Sequence, residues 1–321
     1  MMAALVLDTF VAVIAIAIAL WINRTRDDFT AIVGFVGYGL LLTLAWARLE
    51  AYDIALTEVA LGDGVTAVIL LRASLRLKGV EAPRAALGLR FVVGLICALV
   101  TAGLAALVLF PAQPAPSLAE DVRAHLAATG LGNPIAGVLM AFRGLDTFLE
   151  TVVVLLALFG VWSLTPDRNW GGRPGPAPAS TTAEPLDLFA RLLIPAGIVI
   201  ALYIVWVGAD EPGGKFQGAT ILAAMAMLAA MSGLADAPPI GQRRLRILLV
   251  AGPAVFVAVG LAGFPLAGSF LAYPEALAKP LILLIEVALT ASLAAMLALL
   301  VAGPAERAPA AERAPPREPK S

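Results

Sequence analysis

The sequence predicts an all-α integral membrane protein of about nine transmembrane helices, with its N-terminus outside and its C-terminus cytoplasmic. Three observations carry this. Of 321 residues, 60% are hydrophobic and only 14% charged, an apolar share beyond that of soluble domains. Nine apolar runs approach the ~20 residues that a helix needs to cross about 30 Å of hydrocarbon. If the nine alternate from an outer N-terminus, Arg48, Arg123, Arg143, Lys215 and Lys279 are the outer cations, and the other seventeen of the 22 basic residues fall inside, as the positive-inside rule requires.

The predicted spans are 2–22, 29–47, 53–72, 90–110, 143–164, 188–208, 216–234, 245–263 and 280–302. The first does not read as a cleaved signal peptide: no basic residue precedes it, and Arg24 and Arg26 follow it. The second carries "GFVGYG" at 34–39, a glycine-rich surface suited to close helix contact. Between the fourth and fifth, 117–130 predicts a short surface helix capped by Ser117, with Glu120 and Asp121 in its first turn; His125 reads there as a solvated side chain. Residues 165–187, rich in Pro, Gly, Ser and Thr, read as an inner-side linker. The tail 303–321 is too poor in apolar surface to fold alone.

Composition also excludes. A net charge of −1 gives no footprint for nucleic acid. The single cysteine, Cys97, and single histidine, His125, rule out a disulfide framework and a structural metal built within this chain. A glycine-rich phosphate loop and a Ser/His/Asp set are both missing, so neither an enzyme nor a bound cofactor is expected.

The informative residues are acids inside apolar spans. The third span holds Asp53 at its outer end, Glu58 about one and a half turns in, and Asp63 near the midplane. At ~100° per residue Asp53 and Asp63 lie about 80° apart, with Glu58 on another side. An ionised carboxylate at the bilayer centre costs several kcal/mol, so this helix must be enclosed. Gly62 and Gly64 flank Asp63 and permit close backbone approach or a local break. A neutral, hydrogen-bonded Asp63 is the alternative. In the fifth span, Asp146 and Glu150 share a face, with Arg143 one turn before. Two such carboxylates ionise together only against a partner: the guanidinium as a fixed one, a proton or metal cation as a mobile one. The ninth span adds Glu286. No lysine lies deep in any span, and the acids outnumber their positive partners there, which favours a cation-conducting environment over ion-pair glue.

These stretches carry a resemblance. "YDIALTEVALGDGVTAVILL" at 52–71 resembles a small hydrophobic module of the Mrp-type multisubunit cation/proton antiporters, found in the C-terminal region of their long A subunit or as a separate small chain in membrane-bound hydrogenase relatives. "AFRGLDTFLE" at 141–150 resembles the next module, patterned D-F-R-G-x-D-T-x-G-E, with Ala141 and Leu149 as departures. "DEPGGKFQGATILAAMAML" at 210–228 resembles the B-subunit signature. Gly213, Gly214, Phe216, Gln217 and Gly218 match it, and Lys215 stands where a third glycine is expected. Those matching residues read as a structural turn or subunit contact; a plain turn and free amides facing an anion or carbonyl both suit them.

The resemblance implies five parts: a D-type module over 1–82, an E-type module over 83–164, the linker 165–187, a B-like domain over 188–302, and the tail. It implies a subunit of a complex in the bacterial cytoplasmic membrane that exchanges Na⁺ or another monovalent cation for H⁺. Its partners would be large A- and D-type chains, which bring their own lysine–glutamate pairs, and small C-, E-, F- and G-type chains. The expected pathway residues are Asp53, Glu58, Asp63, Arg143, Asp146, Glu150 and Glu286. Glu58 and Asp63 would offer oxygen ligands to transient Na⁺, and Arg143 would bias whether Asp146 and Glu150 hold a proton or a cation. The competing expectation is a non-conducting scaffold, in a complex coupled to a redox or carbon-uptake module.

Overall fold

A computed structural model of the chain describes residues 2–76, 86–110, 117–167, 170–171 and 183–304. Among the described residues, nine helices are long and apolar enough to cross a membrane. They are α1 (Met2–Arg24), α2 (Asp28–Arg48), α3 (52–76), α4 (Leu87–Leu109), α7 (Gly144–Ser163), α8 (Ala183–Val207), α9 (Lys215–Ser232), α10 (Arg243–Ala267) and α11 (Ala278–Ala302). Each coincides with a predicted span to within a few residues. The tail beyond residue 304 and much of 165–187 lie outside the described residues.

Two differences from the sequence expectation matter. First, the region before α7 is more than a surface helix. Short α5 (Ala119–Leu126) is followed by a 3₁₀ turn, and then α6 (Pro134–Phe142) turns by 86° as a bent pair with it. Asn133 caps α6, its Oδ1 accepting from the Ile135 amide at 2.9 Å, with Pro134 in the first turn; both residues suit a helix start. Second, the 165–187 stretch is not all loose: Trp170 is buried and packs edge-on against Trp162, and α8 starts at Ala183.

Contacts between helix ends fix how the spans meet. Asp8 of α1 pairs with Arg48 at the end of α2 at 2.9 Å, so these two helices run antiparallel. At the other end of the molecule, Arg72 of α3 donates to the Val301 carbonyl of α11. The core lies where α7, α9, α10 and α11 meet. One apolar cluster joins Leu131, Ala136 and Met140 to Phe256, Ile282 and Leu289; a second joins Leu158 to Ala223, Leu249, Leu293 and Met296. In contrast α4 buries no residue.

Small and polar residues make the close approaches that lipid alone would not drive. The Ser292 hydroxyl accepts from the Gly252 amide at 2.7 Å and donates to the Leu248 carbonyl at 2.6 Å. It thus bridges one turn of α10 just before Pro253, where the proline ring removes a helix hydrogen bond.

Candidate functional site

The acids of α3 sit in an altered helix. Tyr52–Thr57 and Ala67–Arg76 are α-helical, but Glu58–Thr66 is π-helical. The π form bonds each residue to the fifth along, and the two glycines flanking Asp63 fall inside it. This corrects the angular expectation. With an i→i+5 repeat, Glu58 lies about one turn from Asp63 and on the same side, not on another face, and its charge bears on Asp63. Each carboxyl group has glycine beside it. A β-carbon on Gly39 of α2 would fall 1.8 Å from Asp63 Oδ1, and one on Gly62 would fall 2.7 Å from Glu58 Oε1. Both Asp63 carboxylate oxygens are enclosed and accept no hydrogen bond among the described residues.

Of the three glycines in the 34–39 stretch, Gly39 makes room for Asp63, Gly34 seats Trp21 of α1, and Gly37 faces open space. The helix pair is therefore shaped around the acid. Buried polar groups without a protein partner are rare and costly, and both oxygens of the Asp63 carboxylate are in that state beside a second carboxylate.

A second constellation joins the start of α3, the start of α6 and the α8–α9 turn. Asp53 Oδ1 accepts from the Gly213 amide at 3.1 Å and from Asn133 Nδ2 at 3.2 Å. The same Nδ2 reaches the carbonyls of Gly208 at 3.2 Å and Glu211 at 3.1 Å. Gln217 Nε2 donates to Thr57 Oγ1 at 2.9 Å and to the Asp53 carbonyl at 3.3 Å. Gly213 and Gln217 thus clasp the α8–α9 turn and the start of α9 to α3, while the Gly214 amide donates to the Ile204 carbonyl of α8. Gly214 has φ 128, a backbone region that side chains disfavour, and β-carbons on Gly208 and Gly218 would strike Gly214 N at 2.5 Å and Val205 Cγ2 at 2.3 Å. Phe216 packs against the second core cluster.

Behind this clasp Glu286 is 4% exposed, and its Oε2 has no hydrogen-bond partner among the described residues. Lys215 is the residue that sequence reasoning misses. By sequence it stands among the outer cations, yet it is 3% exposed at the first position of α9. Its Nζ lies 4.7 Å from the Phe216 ring centroid, and its side chain lines a cavity together with Glu286. Asn133 escapes sequence reasoning as well, although the Asn-Pro pair at 133–134 is a readable helix start.

At the start of α7, Arg143 Nη2, just before the helix, pairs with Asp146 Oδ2 at 2.7 Å, so the fixed partner for that acid is the guanidinium. Both side chains are substantially exposed on this chain. Glu150, one turn on, is exposed and has no ion pair within 4 Å among the described residues. Among the same residues no three of His, Cys, Asp and Glu converge as a metal site.

Outside the spans, Asp210 ties the α8–α9 turn to the start of α11. Lys279 Nζ donates to its two oxygens at 2.7 and 2.8 Å, and the Gly132 amide donates to Oδ1 at 3.1 Å. The Lys279 hydrogen bond holds the Asp210 carboxyl below its ordinary range. A depressed carboxyl contributes stability above its unfolded pKa, roughly 4, and loses it as pH falls through the lower folded value. Thermal melts of wild type and Asp210→Asn should therefore differ at neutral pH and converge once the pH has fallen below both the unfolded and the depressed folded value. The difference is small, because the pair is half-exposed.

Known protein families match two separate parts of the chain. A family model named MbhD, describing the D-type chain of MBH, matches residues 13–79. A second, "Domain related to MnhB subunit of Na+/H+ antiporter", matches residues 185–305. The chain is 28% identical over 166 residues to putative antiporter subunit mnhA2 of Staphylococcus epidermidis, and equally to that of Staphylococcus aureus. In each case this covers 49% of the chain and 20% of the relative, so the chain spans about a fifth of the length of these curated relatives. Among solved structures, the Mrp complex from Dietzia sp. DQ12-45-1b superimposes with a TM-score of 0.70 at 22% identity, over 93% of this chain and 35% of that one. The membrane-bound sulfane sulfur reductase, an archaeal respiratory membrane complex, gives 0.52 at 22% identity, over 67% of this chain and 97% of that one. These likenesses show the fold.

Proposed function

We propose that the chain is a subunit of the Mrp antiporter type, with a region like the C-terminal part of the A subunit followed by a B-like domain, and that it works within a complex exchanging a monovalent cation for protons; the two matching family models and the likeness to mnhA2 support this reading. Its place would be the bacterial cytoplasmic membrane, N-terminus out and C-terminus in, among large antiporter-like and small accessory chains. The observation that carries the reading is the π-helical turn of α3, where Asp63 and Glu58 share one side with no fixed cation among the described residues. Hard cations take oxygen ligands, and two adjacent carboxylates admit either a cation or a proton. Exclusive occupancy of that kind couples two ions. Na⁺ is the cation we assign, with H⁺ as its counterpart.

Arg143, Asp146, Glu150 and Glu286 would line the same route where partner chains cover α7. Asp53, held by Asn133 and Gly213, contributes more as the clasp at its mouth. Purification of the tagged chain in mild detergent tests the partnership, and proton movement driven by a Na⁺ gradient in vesicles tests the activity. Recovery of the chain without large antiporter-like partners, or vesicles whose proton movement ignores its deletion, would overturn the reading. The scaffold alternative predicts that neutralising the acids lowers assembly and leaves transport by assembled complexes unchanged.

A further inference from the structure

Lys215 sits at two costs. An ammonium buried to 3% exposure loses its hydration, and the first position of a helix faces the positive end of the helix dipole. Nor does it form an ion pair within 4 Å among the described residues; Glu286 and Glu150 act on it at longer range. Yet it lines a cavity of about 180 Å³ together with Glu286, Asp53, Gln217 and Thr57. A single water needs only ~10–15 Å³ measured this way, so the space is ample for a partly hydrated ion.

Oxygens converge on this cavity. Gln217 Oε1 and Glu286 Oε1 lie 3.6 and 3.9 Å from the point where a Gly214 β-carbon would stand, and Glu286 Oε2 is buried with no donor to accept from among the described residues. A larger cavity of about 520 Å³ lies beyond, toward Glu50 and Pro212, and Asp53, Ile54 and Ile135 line both. Asp53 therefore stands between an outer vestibule and the inner space.

We propose that the inner cavity is a site for one monovalent cation in which the tethered Lys215 ammonium takes the place of a free ion, so that an alkali cation binds there only when the lysine is removed. The charge of the ligand follows from the charge it replaces: one ammonium is removed, which vacates room for one free Na⁺ or Li⁺. Carboxylate, amide and hydroxyl oxygens suit such a hard ion. This site is separate from the Glu58–Asp63 turn, and equilibrium binding without a gradient probes it independently of whether the complex carries out antiport.

The experiment measures radioactive sodium bound at equilibrium to the purified complex. Lys215→Ala should add one saturable Na⁺ site per chain over wild type, Lys215→Arg should add none, and Lys215→Ala with Glu286→Gln should return to the wild-type count. An unchanged count in Lys215→Ala, or an added site that survives Glu286→Gln, overturns the proposal. Should Lys215→Ala fail to assemble, extraction in NaCl against equimolar choline chloride decides: recovery with NaCl alone supports a free-cation site, and failure in both overturns it.

Discussion

Asn133→Ala is expected to cost about 3 kcal/mol of stability, the sum of a lost helix cap and buried acceptors left without a donor. Few side chains here do as much. Asn133 is 5% exposed, caps α6, and offers its amide protons to Asp53 and to the carbonyls of Gly208 and Glu211. Its loss would free three segments at once: the start of α3, the bend before α6, and the α8–α9 turn. Asn133→Asp should be worse than alanine although it keeps the capping acceptor, because it sets a second carboxylate against Asp53 in place of a donor. Thermal unfolding of the detergent-solubilised protein checks both. Equal melting temperatures for wild type and Asn133→Asp would show that the clasp carries no weight.

Gly39→Ala is the second large effect, and it falls on transport rather than folding. The added methyl would overlap Asp63 Oδ1, so the carboxylate must turn away from its present position. We expect cation-driven proton movement to fall at least about tenfold, which corresponds to roughly 1.4 kcal/mol of disturbed ion binding. The neighbouring glycines supply controls. Gly34→Ala would meet the ring of Trp21 at 2.6 Å and loosen the α1–α2 pair, while Gly37→Ala meets nothing within 4 Å. Melting temperature should drop for Gly34→Ala alone, transport should drop most for Gly39→Ala, and Gly37→Ala should change neither.

Run length of apolar residues made all nine spans legible in the sequence, because lipid imposes one length on every helix. The acids were legible too, since charge in an apolar run is conspicuous. What the sequence concealed were features that depend on tertiary context. Helical-wheel reasoning assumes one angle per residue, so the π-helical turn hid the shared face of Glu58 and Asp63. The segment 131–142 is too short for a span and bends by 86° against its predecessor, so only the Asn-Pro pair marked it. Lys215 stands one residue past a glycine turn, where loop and first helical residue read alike; its burial shows only in the fold, where it lines one cavity with Glu286 of α11. Trp170 lies in a stretch whose composition says linker, yet one aromatic ring is enough to anchor it against Trp162.

The proposed function requires that the π-helical turn of α3 take a mobile cation or proton. Reconstituted complex with Asp63→Asn, compared with wild type across a series of Na⁺ concentrations, tests it most directly. Loss of Na⁺-driven proton movement, or a marked rightward shift in its Na⁺ dependence, with subunit composition unchanged, is the expected result. Wild-type rates at every Na⁺ concentration would contradict it and leave Asp63 a packing residue against Gly39.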